Sequence, residues 1–256
     1  MNTLELKNIS FSYDDIQVFK DLSIKVKKGH NISIIGNIAS GKTTLTNIFN
    51  YSIKTNGEYI INGVEVVKEN DYVINRYINT LSITNKYDNK KVIDLIFDKL
   101  GDDNSEDIKN VVSYFKIDDY LNNKINELSY ELKYYVLIII NLLDKDKYLI
   151  LDDVLCYLNN NHIKKVYSYA KKNKVTIINI SSRLDDVFNS EYIVFIYKGK
   201  IAMEGEVLSC LKEEKLIKRL GYKLPFMYDL SLQLNYYDVL DDIYLDYKDL
   251  ENAIWK

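Results

Sequence analysis

The chain has 256 residues, 47% of them hydrophobic, and a formal charge of −3. It is long enough for one large α/β domain with appendages, and it lacks the broad basic field that nucleic-acid binders use to neutralise phosphates, so no nucleic-acid partner is expected. Met1 to Lys7 carries no apolar signal segment, and the longest apolar run, Tyr134 to Leu143, is interrupted by Asn141 and is about half of the roughly 20 residues that span a bilayer. Any membrane role is therefore expected to be peripheral. The two cysteines, Cys156 and Cys210, are far apart and lack metal-ligand spacing.

Leu4 to Tyr13 alternates like a strand, Phe19 to Lys27 like a second, and Lys28-Gly29-His30 turns into an apolar strand, Ile32 to Ile35. Directly after it, Gly36-Asn37-Ile38-Ala39-Ser40-Gly41-Lys42-Thr43 completes the pattern G-x-x-x-x-G-K-[ST], with a helical pattern that begins at Thr43 and Thr44 counted with the binding residues. Glycines let successive backbone N–H groups turn toward phosphates, Lys42 reaches the β- and γ-phosphates, the Thr43 hydroxyl takes a magnesium position, and the helix N-terminus favours the polyanion. The loop is expected to bind a nucleotide with Mg2+.

Glu58 to Val67, centred on Asn62-Gly63, reads as a hairpin. From Val92 to about Leu143 the apolar spacing is helical, as in Ile108, Val111, Val112 and Phe115. Tyr148 to Leu151 and Val175 to Ile180 read as buried strands around a helical segment, the alternation of a parallel sheet. A last strand, Tyr192 to Tyr197, turns at Lys198-Gly199-Lys200 into Ile201 to Glu204. Beyond Val207, helical patterns broken by Gly221 and Pro225 suggest a small appendage.

Over residues 3 to about 207 the chain resembles the ATP-binding subunits of ABC transporters. Leu6 to Tyr13 looks like the family's opening strand, with Tyr13 in the place of the aromatic that stacks on adenine. Lys147 to Asp153 is similar to the Walker B strand, whose first carboxylate, Asp152, would help hold magnesium and whose second, Asp153, would activate water. Leu128-Ser129 stands at the family's separation from Walker B, in the place of the signature motif. The resemblance implies a P-loop NTPase of the ABC-cassette fold: a RecA-like parallel sheet, an N-terminal antiparallel β layer, a helical subdomain at about 84–143, a cassette over 1–207 and a helical appendage over 208–256.

Most motifs after the phosphate loop depart from the family pattern. Leu-Ser-Gly-Gly-Gln stands here as Leu128-Ser129-Tyr130-Glu131-Leu132, in the motif that grips ATP on the opposing subunit. Tyr130 adds bulk, and Glu131 adds a charge whose repulsion at about 5 Å and an effective dielectric of about 20 is roughly 3 kcal/mol. Asp153 replaces the usual Glu, which shortens the reach to water by about one methylene. Ser182 replaces the switch histidine, Asn159 the D-loop carboxylate, and the Q-loop glutamine near Ile83 to Asn85 is missing. Ile38 and Ala39 stand where Asn and Gly are usual, and His30 and His162 read as ordinary surface or turn residues.

Leu220 to Phe226, followed by Leu230, Leu232 and Leu234, resembles the C-terminal extension of energy-coupling-factor (ECF) ATPases. That likeness implies a heterodimer with a second ABC ATPase subunit on a polytopic membrane T-subunit with a substrate-binding S-component, at the cytoplasmic face of the membrane. This chain would be the degenerate half of the motor, binding Mg-ATP with weak or absent hydrolysis. The alternative is a soluble pseudo-ATPase module that uses nucleotide-dependent dimerisation; a small P-loop kinase would leave the signature-to-Walker-B spacing to coincidence.

Overall fold

The computed structural model describes residues 2–101, 105–144 and 146–255; residues 102–104, inside the expected helical stretch, lie outside them. The antiparallel hairpin of β1 (Thr3–Tyr13) and β2 (Ile16–Lys27) opens the chain. Pairing begins at Ile16 rather than at the expected Phe19, because Asp14 takes a left-handed φ of 47° and closes a tight link. Ile16 and Gln17 are exposed, so no buried alternation marks that end of the strand.

After β3 (Ile32–Gly36) and α1 (Lys42–Phe49), β4 (Asn56–Ile61) and β5 (Val64–Glu65) form the expected hairpin. Asn62 and Gly63 sit at φ 52° and 84°, the two positive values that a type I′ turn needs. The short helix α2 (Tyr72–Tyr77) and β6 (Ile78–Leu81) follow. Sequence periodicity does not reveal β6, which has four residues and leans on its neighbour for its identity. The helical stretch contains α3 (Val92–Leu100), α4 (Ser105–Phe115) and α5 (Tyr130–Leu142). Then come β7 (Tyr148–Asp152), α6 (Asn160–Lys172), β8 (Thr176–Ser181), β9 (Tyr192–Tyr197) and β10 (Lys200–Glu206). The chain closes with α7 (Val207–Leu211), α8 (Glu214–Arg219), α9 (Phe226–Tyr236) and α10 (Tyr247–Ile254).

Two sheets result, a four-stranded one in the order β2-β1-β4-β5 and a six-stranded one in the order β10-β9-β3-β8-β7-β6. In the larger sheet β9, β3, β8, β7 and β6 run parallel, and β10 is antiparallel at the edge. Both β3 and β8 are buried along their whole length, which is why they read as continuous rather than alternating runs. The period of two still sorts their side chains. Ile32 and Ile34 join Leu45, Ile48 and Phe49 of α1 and the inner face of the small sheet, whereas Ile35 joins Phe195 and the C-terminal helices.

Full burial of Leu45 and Phe49 is worth about 1.5–3 kcal/mol each, and it anchors the helix whose N-terminus carries the phosphate loop. The helical stretch packs on the other side of β7 and β8, through Leu149, Leu151 and Ile177. The C-terminal helices share one apolar cluster with β3 and β9 instead of standing apart. All of this brings the C-terminal ends of β3, β8 and β7 side by side, where open parallel sheets bind ligands.

Candidate nucleotide site

The phosphate loop leaves β3 at Gly36 and enters α1 at Lys42. Gly41 caps the helix at φ 97°. A Cβ on Gly41 would stand 2.6 Å from the Phe19 ring, and one on Gly36 would stand 2.2 Å from Ser40 Oγ. Both positions therefore need glycine for close approach. Lys42 Nζ donates to the Gly36 carbonyl at 2.9 Å and the Asn37 carbonyl at 3.3 Å, so the ammonium lies along the loop it is expected to serve. Ile38 is 93% exposed at the crest. Ala39, where glycine is usual, keeps the curvature by adopting φ 64°, at a cost of about 1–2 kcal/mol.

The Ser40 hydroxyl is buried with no hydrogen-bond partner among the described residues, a vacant donor in the wall of an anion cradle. Thr43 is exposed at the start of α1, while Thr44 beside it is buried. The end of one strand, β7, supplies both carboxylates, Asp152 and, directly after it, Asp153. Burial lifts the Asp152 carboxyl above its ordinary value; the Thr46 hydroxyl opposes that, Asp153 adds to it and Lys42 opposes it again. These residues fit Mg-ATP. Among the described residues no group of three His, Cys, Asp or Glu could hold a metal, so magnesium here would depend on Thr43, Asp152 and the phosphate oxygens.

Asp153 and Ser182 are brought into direct contact. Asp153 Oδ1 accepts from the Ser182 backbone N–H at 3.0 Å and from its hydroxyl at 3.4 Å. Asp153 itself is left-handed at φ 52°, and its own N–H donates to the Ile180 carbonyl at 2.9 Å. The turn after β7 is thus tied to β8, and the Asp153 carboxylate is engaged by Ser182, the residue expected in the histidine's place.

Ser129 caps α5, its Oγ accepting from the Leu132 N–H at 3.3 Å, and Leu128 packs on the helical core. Tyr130 is 69% exposed and stacks with Tyr157 and Tyr134 at centroid distances of 6.0 and 6.5 Å. The Glu131 carboxylate has partners within its own subunit: Oε1 accepts from the Asn159 backbone at 3.3 Å and from the Asn159 side-chain amide, and lies 2.8 Å from His162 Nδ1.

His162 lies part-exposed in the first turn of α6, where its ring stacks on Tyr135 at 3.9 Å. In the segment where a Q-loop glutamine was expected, Asn85 Oδ1 accepts from Lys133 Nζ at 3.1 Å, and Asp88 Oδ1 does so at 2.7 Å. Tyr13 ends β1, half-exposed and edge-on to Phe11. Val18 and Phe19 of the paired strand abut Gly41, so the end of that hairpin flanks the loop.

The family model described as ABC transporter matches residues 19–155, more than half of the chain. The energy-coupling factor transporter ATP-binding protein EcfA1 of Mycoplasmopsis synoviae (strain 53) is 29% identical over 248 residues, covering 91% of this chain and 93% of the relative. Among solved structures, CbiO1 from Clostridium perfringens, described as part of the ABC transporter complex CbiONQ, superposes with a TM-score of 0.72 at 19% identity over 88% of this chain and 97% of that one. A bacterial Atm1-family ABC exporter with ATP bound gives a TM-score of 0.75 at 18% identity over 88% of this chain, which spans only 42% of the exporter chain. With a phosphate loop, a Walker B carboxylate and a two-sheet architecture in agreement with that match, the chain belongs to the ABC transporter family as an ATP-binding subunit.

Proposed function

We propose that the protein is an ECF-type ATP-binding subunit that holds Mg-ATP on Gly36 to Thr44, with Thr43 and Asp152 at the metal and Tyr13 at the base, and hydrolyses it slowly or not at all. The observation that carries this reading is the pairing of a complete loop and Asp152 with an Asp153 carboxylate engaged by Ser182. An activated water needs a base free to take its proton, and this site has a shorter, occupied one and no imidazole beside it. The chain acts as the degenerate half of a heterodimeric motor, because two copies of it would form two sites that each combine a weak base with the altered Leu128 to Leu132 signature.

Its partners are a second, intact cassette and a polytopic T-subunit with an S-component. The similarity to EcfA1 over nearly the whole chain supports the subfamily, with residues 1–207 as the cassette, about 84–143 as its helical subdomain and 208–256 as the appendage. No helix among the described residues is long and apolar enough to cross a membrane, in keeping with a peripheral place on the cytoplasmic face. The test is calorimetric titration of the purified chain with Mg-ATP, alongside steady-state hydrolysis and copurification with a coexpressed second cassette and membrane subunit. Binding that Lys42→Ala removes, with little turnover, is expected; rapid turnover by the chain alone, abolished by Lys42→Ala, overturns the weak-hydrolysis reading.

A further inference from the structure

The segment Leu220-Gly221-Tyr222 leaves α8 in a Schellman turn. Gly221 N–H donates to the Lys218 carbonyl at 3.1 Å and Tyr222 N–H to the Ile217 carbonyl at 3.1 Å, with Gly221 left-handed at φ 87°. That turn fixes where the corner points. The Leu220 carbonyl accepts from Asn37 Nδ2 at 2.6 Å, and a Cβ on Gly221 would stand 3.2 Å from the same amide nitrogen. Asn37 is a phosphate-loop residue whose own carbonyl receives the Lys42 ammonium, so the corner and the lysine meet on one residue.

Tyr222 is 8% exposed. Its ring packs at 5.8 Å on Phe195, the β9 residue that pairs with Ile35 just before the loop. Its hydroxyl is buried with no hydrogen-bond partner among the described residues. Burial pushes the phenol up, and the Asp153 carboxylate is near enough to push it further. A buried hydroxyl without a partner is costly, and in a native protein it calls for a ligand or a function.

We propose that Tyr222 is a nucleotide-site residue whose hydroxyl donates to the terminal phosphate of ATP held by Lys42, giving this chain the donor that Ser182 does not provide in the place of an imidazole. This rests on the reading of the Lys42 loop as an ATP site. Phosphate entering the loop competes with the Gly36 and Asn37 carbonyls for Lys42, and Asn37 is the residue through which that change reaches the corner. A hydrogen bond to a charged oxygen is among the stronger kinds. It is available to ATP and denied to ADP.

The experiment is calorimetric titration of the full chain and its Tyr222→Phe variant with Mg-ATP and, separately, Mg-ADP, together with the thermal midpoint of each protein without nucleotide. Removing only an unpartnered hydroxyl leaves the fold intact, so the nucleotide-free midpoint is expected to be unchanged or higher. ATP affinity is expected to fall about tenfold, with ADP affinity unchanged. An equal change for both nucleotides, or none for either, overturns the proposal, as does a drop in the nucleotide-free midpoint with ATP affinity preserved. Lys42→Ala separates the two readings: if it removes ATP binding while Tyr222→Phe treats ATP and ADP alike, the site stands and the role of Tyr222 falls. If the unmutated chain binds no ATP, both fall.

Discussion

Glu131 Oε1 stands 2.8 Å from His162 Nδ1, and this contact joins α5 to α6 within one subunit. The carboxylate also accepts from both nitrogens of Asn159, so Glu131 holds the start of α6 from outside. These hydrogen bonds fix the carboxylate in place without removing its charge, whereas Tyr130 is 69% exposed at the head of its tyrosine stack.

Substitution of Glu131 separates these roles. Glu131→Ala removes a part-exposed carboxylate whose contacts with Asn159 and His162 are worth about 0.5–1 kcal/mol net, so the thermal midpoint should fall by about 1–4 °C for a chain of this size. In a reconstituted heterodimer, Tyr130→Gly should raise turnover at the partner's site more than Glu131→Gly does. ATPase rates with partners that have or lack their own phosphate-loop lysine provide the measurement. A larger gain from Glu131→Gly would show that its charge faces the phosphates after all.

The loop between β3 and α1, β3 itself, the Asn62-Gly63 turn and the strand that ends at Asp152 were legible because each is specified by residues adjacent in sequence. A complete loop motif after an apolar run has one local solution, and the structure adopts it, even at Ala39. The contacts that distinguish this chain are of another kind. Asn37 and Leu220 meet across 183 positions, brought together by the packing of Leu220 with Ile35 and Phe195, and no local pattern announces that. The setting of His162 is hidden for a similar reason: it is the Tyr135 ring on a different helix. The four residues of β6 were missed because their strand character comes from pairing with β7.

The two loop glycines should respond differently to the same added methyl group. At Gly41 the new Cβ meets the Phe19 ring at 2.6 Å and a left-handed backbone at φ 97°, and the ring is fully buried. At Gly36 it meets the Ser40 hydroxyl, the end of a small side chain that can rotate. Gly41→Ala should therefore cost roughly 2–4 kcal/mol and abolish ATP binding, whereas Gly36→Ala should cost less than half as much. Denaturant midpoints of the two variants provide the check, and equal losses would contradict the geometry.

Repair of the catalytic groups should be cooperative. Ser182 donates to Asp153 through both backbone and hydroxyl, so Ser182→His keeps the first bond, loses the second and adds an imidazole. Asp153→Glu lengthens the base but places Glu at φ 52°, a conformation that favours Asp. The double variant paired with an intact cassette is expected to hydrolyse the ATP held by Lys42 about a hundredfold faster, with neither single change giving a tenth of that gain. Single-turnover rates with the partner's own lysine removed isolate this site. Additive effects of the two singles would mean that the Asp153–Ser182 contact does not couple them.

Asp152 gives a pH signature whose sign follows from its burial. Its carboxyl is raised from the model-compound value of 3.8, so the folded, nucleotide-free protein binds that proton more tightly than the unfolded chain does. Stability from this group is fully present below about 3.8 and is lost as pH rises through the folded value. Asp152→Asn removes that loss. The variant should therefore melt higher than the unmodified protein at pH 7, and the difference should shrink as pH falls toward 4. The same change takes away the metal carboxylate, so the stabilisation conferred by Mg-ATP should shrink at pH 7 even as the nucleotide-free midpoint rises. Thermal midpoints from pH 4 to pH 8, with and without Mg-ATP, test both halves. If the variant melts lower than the unmodified protein at neutral pH without nucleotide, the Asp152 carboxylate is stabilised by its surroundings in the empty site rather than held there at a cost for the sake of the metal.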